Sequence, residues 1–554
     1  MKTVAGRHVC PYAVWEQSKV ALLPKAPPAD TIAQRRALWI LLRWNQPGVR
    51  AVENVVPFRE RANAPVAIIT ITVMLGMIMA IVDATIVNVA LNTIGGNLGA
   101  SIDEVAWVTT GYILASVVVM PLNGWLTAYL GRKRFYATSL AIFTIASLLC
   151  GTARSIWVLV FWRVLQGIGG GALQPTAQAI LFETYPPEKR GQAMALFGLG
   201  AMVGPAIGPL LGGYLVDNAS WPIIFFINIP IGILAFVMTI MFIPNPHFIE
   251  RIKTGVDWLG LSLLTAGLAS LQYVLERGQR DDWFNSATIS LLTVVAVTTL
   301  GIFVFRMLRT TKPLVDLLVF RIRQFWVGNI VGIVLGFGLF GSTLILPLFL
   351  QNALNFTAMD TGMALLPGAL ASAVGMVIIG RVGSKFDPRV LIAAGMLLFG
   401  WSTWEMGSLN QYAGYWDFFW PRVWQGLSLG FIFVPLTTVT LSAVPNPELA
   451  NATGIMSLVR QIGGSFGIAI LTTLLSRQMT TVSEALASGV TKTHGVPIAV
   501  LSQIVNVNAQ VIAYDFLFRL TGLIFVICVP LVYFLRASRR PGAAGGSVPA
   551  LAME

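Results

Sequence analysis

The chain has 554 residues, 56% of them hydrophobic and only 11% charged. A soluble domain carries about 25% charged residues, so this composition excludes a soluble enzyme or binding module and indicates an integral membrane protein with many spans. The formal net charge of +13 raises nucleic acid as a partner, and the placement of the basic residues excludes it.

Residues 1–64 are polar, Pro-containing and Arg-rich, a cytoplasmic N-terminal extension without the apolar core of a cleavable signal. Within it Ile32–Trp44 reads either as a short interfacial helix on an anionic membrane face or as part of a disordered tail. Fourteen apolar runs follow, each long enough for the ~30 Å hydrocarbon core. Six lie near 65–91, 104–126, 134–151, 156–181, 191–215 and 221–243. Two form an insertion at 258–276 and 286–306. Six more lie near 325–350, 361–380, 390–407, 416–442, 452–476 and 515–536, before a cytoplasmic tail at 537–554. The domains are therefore a six-helix half at 65–243, an inserted hairpin at 258–306 and a second six-helix half at 325–536.

With the N-terminus inside, 28 of the 37 Lys and Arg fall in cytoplasmic segments, five in external ones and four (Arg163, Arg422, Arg460 and Arg519) within spans. The basic excess is thus a topology signal, and an even span count places both termini in the cytoplasm. The three cysteines, Cys10, Cys150 and Cys528, have no metal-ligand or disulfide pattern.

The chain repeats itself. Arg163-Val-Leu-Gln166-Gly167 recurs as Arg422-Val-Trp-Gln425-Gly426 after 259 residues, and Pro187-Glu188 as Pro447-Glu448 after 260. Two facing repeats around a midplane site is a common transporter plan. The external loop 276–284, rich in charge and aromatic residues, suits an interfacial anchor or a contact surface. The segment 477–514 reads as a long polar external loop.

One carboxylate stands inside the first span, in Ile81-Val82-Asp83-Ala84-Thr85. An ionised Asp at mid-membrane costs about 2.5–3.5 kcal/mol even on the lenient insertion scale. At 1.5 Å per residue Asp83 lies ~12 Å, and Arg163 of span four ~10 Å, below the outer surface. The depths match, so Asp83 and Arg163 form the first candidate pair; Arg422 of span twelve is about as deep. Desolvation raises a carboxyl's proton affinity and a nearby guanidinium lowers it. An Arg that moves relative to an Asp therefore drives proton uptake and release. A static packing pair is the alternative.

Span five carries Gly200, Gly204, Gly208 and Gly212 with Pro205 and Pro209. Glycines four apart make a smooth helix face and the prolines bend it, which suits a sliding surface between the halves. Between spans two and three, Gly124-Trp-Leu-Thr-Ala128-Tyr-Leu-Gly131-Arg132-Lys133-Arg134 forms a tight cytoplasmic turn. Its basic end is either a positive-inside anchor or a gate latch.

These residues resemble a family. The Asp83 stretch is similar to the first-span signature of the fourteen-span drug–proton antiporters of the major facilitator superfamily (EmrB/QacA type). Arg163-x-x-Gln166-Gly167 resembles its fourth-span motif, tied there to proton transfer. Gly200-x-x-x-Gly204-Pro205-x-x-Gly208 with Gly212-Gly213 resembles the antiporter motif. Trp221-Pro-Ile-Ile-Phe-Phe-Ile-Asn228-Ile-Pro230-Ile-Gly232 and Arg460-Gln461-Ile-Gly463-Gly464-Ser465 resemble further signatures. The match covers about 65–536. Two positions depart from the pattern: Ala128 stands where the superfamily usually has Asp, and Asn92 where it commonly has Pro.

The resemblance implies an all-α major facilitator fold with 14 transmembrane helices in a bacterial cytoplasmic (inner) membrane. It also implies a cavity lined by spans one, four, nine and twelve, carrying Asn88, Gln166, Gln174, Gln178, Asn329, Arg422 and Gln425 among apolar side chains. Such a cavity suits hydrophobic or amphipathic compounds; each amide taken alone reads rather as an interhelical hydrogen bond. The implied activity is proton-coupled multidrug efflux by alternating access, driven by the proton motive force with no cofactor or metal. A periplasmic adaptor and an outer-membrane channel are partners carried over from related pumps. The alternatives are a dedicated exporter of one metabolite, such as a fatty acid or siderophore, and a non-transporting receptor or scaffold. An enzyme is disfavoured: there is no phosphate-binding Gly-x-x-x-x-Gly-Lys loop, and His8, His247 and His494 all lie outside the spans.

Overall fold

The computed structural model describes residues 65–245, 255–490 and 498–535. The expected N-terminal extension with its Ile32–Trp44 stretch, and the tail 537–554, lie outside the described residues.

Span one is Val66–Leu98. Span two is Ile102–Val119, continued by a 3-10 turn at Met120–Leu122 and a helix at Asn123–Leu130. Spans three, four and five are Arg132–Gly151, Ile156–Thr184 and Arg190–Asn218. Span six is broken into Ile223–Phe226 and Asn228–Phe242. The inserted hairpin is Trp258–Arg277 and Ala287–Arg309, spans seven and eight. Spans nine to fourteen are Arg323–Leu348, Ala358–Val382, Pro388–Met406, Tyr415–Ser442, Leu449–Val490 and Ile498–Cys528.

Thirteen of these helices among the described residues are long and apolar enough to cross a membrane. Span eleven completes the fourteen; its polar last turn, Trp401 to Glu405, lowers its hydropathy.

Local chemistry sets the ends. Ser101 and Glu104 cap span two reciprocally, Ser101 N–H donating to Glu104 Oε2 at 2.9 Å and Glu104 N–H to Ser101 Oγ at 3.3 Å. Thr357 and Asp360 do the same for span ten. Gly131, at φ 84°, turns the chain between spans two and three in a conformation only glycine adopts readily. The segment read as a long external loop is helical instead: spans thirteen and fourteen run on as helix to Val490 and from Ile498. Its Gly and Pro are confined to Gly489, Gly495 and Pro497, and the stretches 477–488 and 498–514 lack these helix breakers.

The internal repeat is a packing repeat. A Cβ on Gly171 would sit 2.5 Å from Ser116 O, and one on Gly430 would sit 2.6 Å from Gly375 C. Both members are shifted by 259 residues, the interval of the Arg-x-x-Gln-Gly motif.

The two halves touch directly at the end that carries the Gly124–Arg134 turn. Asn123 Nδ2 donates to Ala450 O at 2.7 Å, and Asn123 Oδ1 accepts from Thr176 Oγ1 at 2.5 Å. Deeper in, the Phe197 and Phe433 rings stack with centroids 6.1 Å apart. At the opposite end the inserted hairpin spans both halves. Arg277 donates to Asp103 O of span two at 3.1 Å, and Gln272 Nε2 to Ser465 Oγ of span thirteen at 2.7 Å. Trp283 Nε1 reaches Thr473 Oγ1 at 2.9 Å. The loop 276–284 is thus a contact surface.

Candidate functional site

Asp83 and Arg163 are both 0% exposed, and Arg163 Nη1 lies 2.6 Å from Asp83 Oδ2. The matched depths inferred from helix rise correspond to a direct ion pair. The site is larger than that pair. Gln166 Nε2 donates to Asp83 Oδ1 at 2.9 Å, and Asn228 Nδ2 to the same oxygen at 2.7 Å. Arg163 also donates from Nε to Val108 O at 3.2 Å and from Nη1 to Gln166 Oε1 at 2.7 Å. Its guanidinium lies 4.4 Å from the Tyr112 ring centroid and 5.7 Å from that of Phe225.

The broken sixth span builds one wall. Asn228 opens the second helical segment, after the Trp221–Phe226 turn and before Pro230. Its Nδ2 bridges Asp83 and Ser147 Oγ, the latter at 3.1 Å, while Ser147 donates to Phe225 O at 2.9 Å. Cys150 Sγ points to Gln166 Oε1 at 3.7 Å. Spans one, three, four and six thus all supply polar atoms to one dry cluster. Three donors meet the two carboxylate oxygens. One guanidinium nitrogen, Nη2, is buried without a partner among the described residues. Asn228, Ser147 and Tyr112 carry this geometry and are not assigned by sequence reasoning. The signal for Asn228 is an amide alone in an apolar run just before a proline.

The expected cavity residues divide. Asn88 is exposed and accepts from Thr109 Oγ1 at 3.2 Å; Gln174 is half-buried. Gln166, Gln178, Asn329 and Gln425 are buried, so in this conformation they line no open chamber. Asn329 Nδ2 donates to Phe325 O one turn back at 2.8 Å, and Gln178 Nε2 to Met194 Sδ at 3.9 Å. Gln178 Oε1 and Asn329 Oδ1 have no partner among the described residues. Arg422 is partly exposed and donates to Gln425 Oε1.

The glycine face of span five is corrected. A Cβ on Gly200 would meet Met77 and Met74, on Gly204 Ile81, on Gly208 Thr85 and on Gly212 Ile86. The face therefore seats span five on span one within one half, directly beside Asp83. The surface toward the other half is a different side of the helix: a Cβ on Gly198 would lie 2.8 Å from Met376 and 2.9 Å from Phe433. Small residues every four positions say that two backbones approach, not which two. Pro205 and Pro209 lie within this continuous helix.

The Gly124–Arg134 turn joins the halves through its glycine rather than its basic residues. A Cβ on Gly124 would lie 2.7 Å from Asn451 Cβ and 2.8 Å from its Cα. Arg132 is buried and grips Glu183 at the end of span four, with Nη2 2.8 Å from Oε1, inside its own half. Glu183 thereby supplies an acid partner although position 128 is Ala. Lys133 offers its backbone N–H to Asn245 Oδ1 at 3.1 Å.

A helical two-half membrane fold with a buried Asp–Arg–Gln–Asn cluster at matched depth is the architecture of a secondary transporter. Residues 73–468 match the Major Facilitator Superfamily, and the chain belongs to that superfamily. Among its relatives, "Multidrug export protein EmrB" of Escherichia coli K12 is 34% identical over 502 residues, covering 87% of this chain and 98% of that one. "Fatty acid resistance protein FarB" of Neisseria gonorrhoeae is 33% identical over 500 residues, with coverages of 87% and 98%. A crystal structure of the human organic anion transporter MFSD10 shares the fold at a TM-score of 0.55 and 13% identity, covering 85% of this chain and 100% of that one.

Proposed function

We propose that this protein is a proton-coupled exporter of hydrophobic or amphipathic compounds, working by alternating access in a bacterial inner membrane with both termini in the cytoplasm. The observation that carries the reading is the Asp83 carboxylate, buried and held by Arg163, Gln166 and Asn228. A buried ionised carboxylate is costly in a membrane and marks a proton path in transporters. The name of the Escherichia coli relative supports broad export. The name of the Neisseria relative favours a second reading, a dedicated exporter of one amphipathic metabolite. A periplasmic adaptor and outer-membrane channel are proposed partners, and the proton motive force the proposed driver. An enzymatic role is not proposed.

In the proposed cycle Asp83 takes a proton from outside. Its charge is lost, so the Arg163 bond weakens and the guanidinium shifts toward its other partners, Val108 O and Gln166 Oε1. The rearrangement loosens the packing of spans one and four and lets the halves rock apart at the Asn123–Ala450 and Gly124–Asn451 contacts. Substrate enters from the inside, the proton leaves inward, and reformation of the ion pair closes that end again. Inside-out vesicles with an imposed pH gradient test this. Dye movement must follow the gradient in wild type and vanish in Asp83→Asn; equal dye movement in the variant places coupling elsewhere.

A further inference from the structure

The second half contains a copy of the Asp83 site with its acid removed. Adding 259 to Asp83, Arg163 and Gln166 gives Ser342, Arg422 and Gln425. These three stand together as their counterparts do. Arg422 Nη1 donates to Gln425 Oε1, and Gln425 Nε2 lies 3.3 Å from Ser342 Oγ, where Gln166 Nε2 meets Asp83. Thr403 Oγ1 adds a second acceptor for Gln425 at 3.3 Å.

Two differences separate the twins. The carboxylate is replaced by a hydroxyl, so none of the ion pairs among the described residues includes Arg422, and its buried Nε has no partner there. An aromatic lid over Arg422 is also lacking among the described residues. The Gly171–Ser116 contact recurs as Gly430–Gly375, which puts Ala371 at the place of Tyr112, the ring that covers Arg163. Arg163 is 0% exposed, whereas Arg422 remains partly open. Its guanidinium rests on a glycine, since a Cβ on Gly368 would lie 2.9 Å from Arg422 Nη2. The result is a membrane-embedded cation, held by Gln425, partly exposed and lacking the counter-charge that its twin carries built in. A charge at this depth calls for a partner, and a guanidinium is matched best by a planar carboxylate.

We propose that Arg422, with Ser342 and Gln425, binds the carboxylate head of an amphipathic substrate, which supplies the acid that Asp83 supplies in the other half. This deepens the exporter reading and rests on it for the direction of transport, though not for binding. Substrate and proton would then use homologous arginines, one per half. The apolar tail would extend along the residues flanking span twelve, and cationic amphipaths would be rejected by the uncompensated guanidinium.

The test is scintillation-proximity binding of radiolabelled decanoate and decyltrimethylammonium to the full chain in phosphatidylcholine nanodiscs at pH 8, with empty nanodiscs subtracted. Wild type is expected to prefer decanoate. Arg422→Gln removes the cation, and Ser342→Asp installs the missing acid; each should reduce the preference ratio at least tenfold. Ser342→Asn, which adds bulk without charge, should reduce it less than threefold. No preference in wild type overturns the proposal, as does a ratio unmoved by Ser342→Asp, a variant that gains an internal ion pair and so keeps the test open if Arg422→Gln does not fold. Gradient-driven decanoate flux in vesicles separates the two readings. Arg422-dependent binding without flux sinks the exporter and leaves the site; flux indifferent to Ser342→Asp sinks the site and leaves the exporter.

Discussion

Asn228 donates a 2.7 Å hydrogen bond to the carboxylate of Asp83 across 145 residues of chain. The bond ties the broken sixth span to the first. It places a neutral donor on the oxygen that Gln166 also holds, opposite the one that Arg163 grips. Asn228 therefore helps hold the Asp83 carboxylate in place. Asn228→Ala removes a donor to a buried acceptor, a loss on the order of 1–3 kcal/mol. Asn228→Ala should lower gradient-driven dye efflux severalfold, and Asn228→Asp should depress it further by placing a second acid beside Asp83. Efflux rates in vesicles at matched protein levels check this; unchanged rates would leave Asn228 a packing residue.

Gly208 sits against Thr85, two residues after Asp83 in span one. Thr85 is held in place by donating back to Val82 O at 3.0 Å. Gly208→Ala should therefore displace span one beside its carboxylate, with an overpacking cost of about 1–3 kcal/mol. Transport should fall severalfold while the protein still inserts. Thr85→Ala in the same chain removes the colliding hydroxyl and should restore much of the loss. A double-mutant cycle on transport rate measures that coupling, and additive losses would show that the contact is not the cause.

The Gly124–Asn451 contact belongs to a conformation in which the halves meet at the Gly124–Arg134 turn. Gly124→Leu cannot fit against the Asn451 backbone and should disfavour that state. Cysteines at 123 and 450, in a background where Cys10, Cys150 and Cys528 are replaced, should cross-link readily in wild type, and poorly when Gly124→Leu is added. Reduction should restore transport to the linked protein. Equal cross-linking with and without Gly124→Leu would contradict the proposed closure.

Asp257 caps the start of span seven and accepts from Arg306 Nε at 3.0 Å and Nη2 at 2.8 Å, and from Gly260 N–H at 3.0 Å. The Arg306 guanidinium is the main cause, and the Gly260 N–H a lesser one, of a carboxyl held below its usual range, against some desolvation. A depressed folded-state value means stabilisation present above the unfolded value, roughly pH 4, and lost as pH falls through the lower folded value. Asp257→Asn should thus lower the melting temperature at pH 7, and the gap to wild type should close below pH 4. Because the pair is partly solvated, 0.5 M salt should also narrow it. A gap independent of pH would mean that the cap, not the charge, is what matters.

Much of the molecule was legible along the chain because its signals are local. A bilayer demands long apolar helices, so span number follows from run length. The 259-residue repeat announced two like halves, and helix rise alone put Asp83 and Arg163 at one depth. Depth is a coordinate along the helix axis, which sequence position measures directly. Rotation and lateral neighbour are not. Nothing local told that the glycines of span five face span one, that Asn228 and Ser147 close around Asp83, or that Gly124 rather than the basic residues touches the other half. In lipid the outer surface and the helix contacts are equally apolar, so hydrophobic patterning does not mark which face packs where. Those choices came from tertiary packing. So did the contrast between Arg163, buried and paired with an acid, and Arg422, partly exposed and outside every ion pair among the described residues.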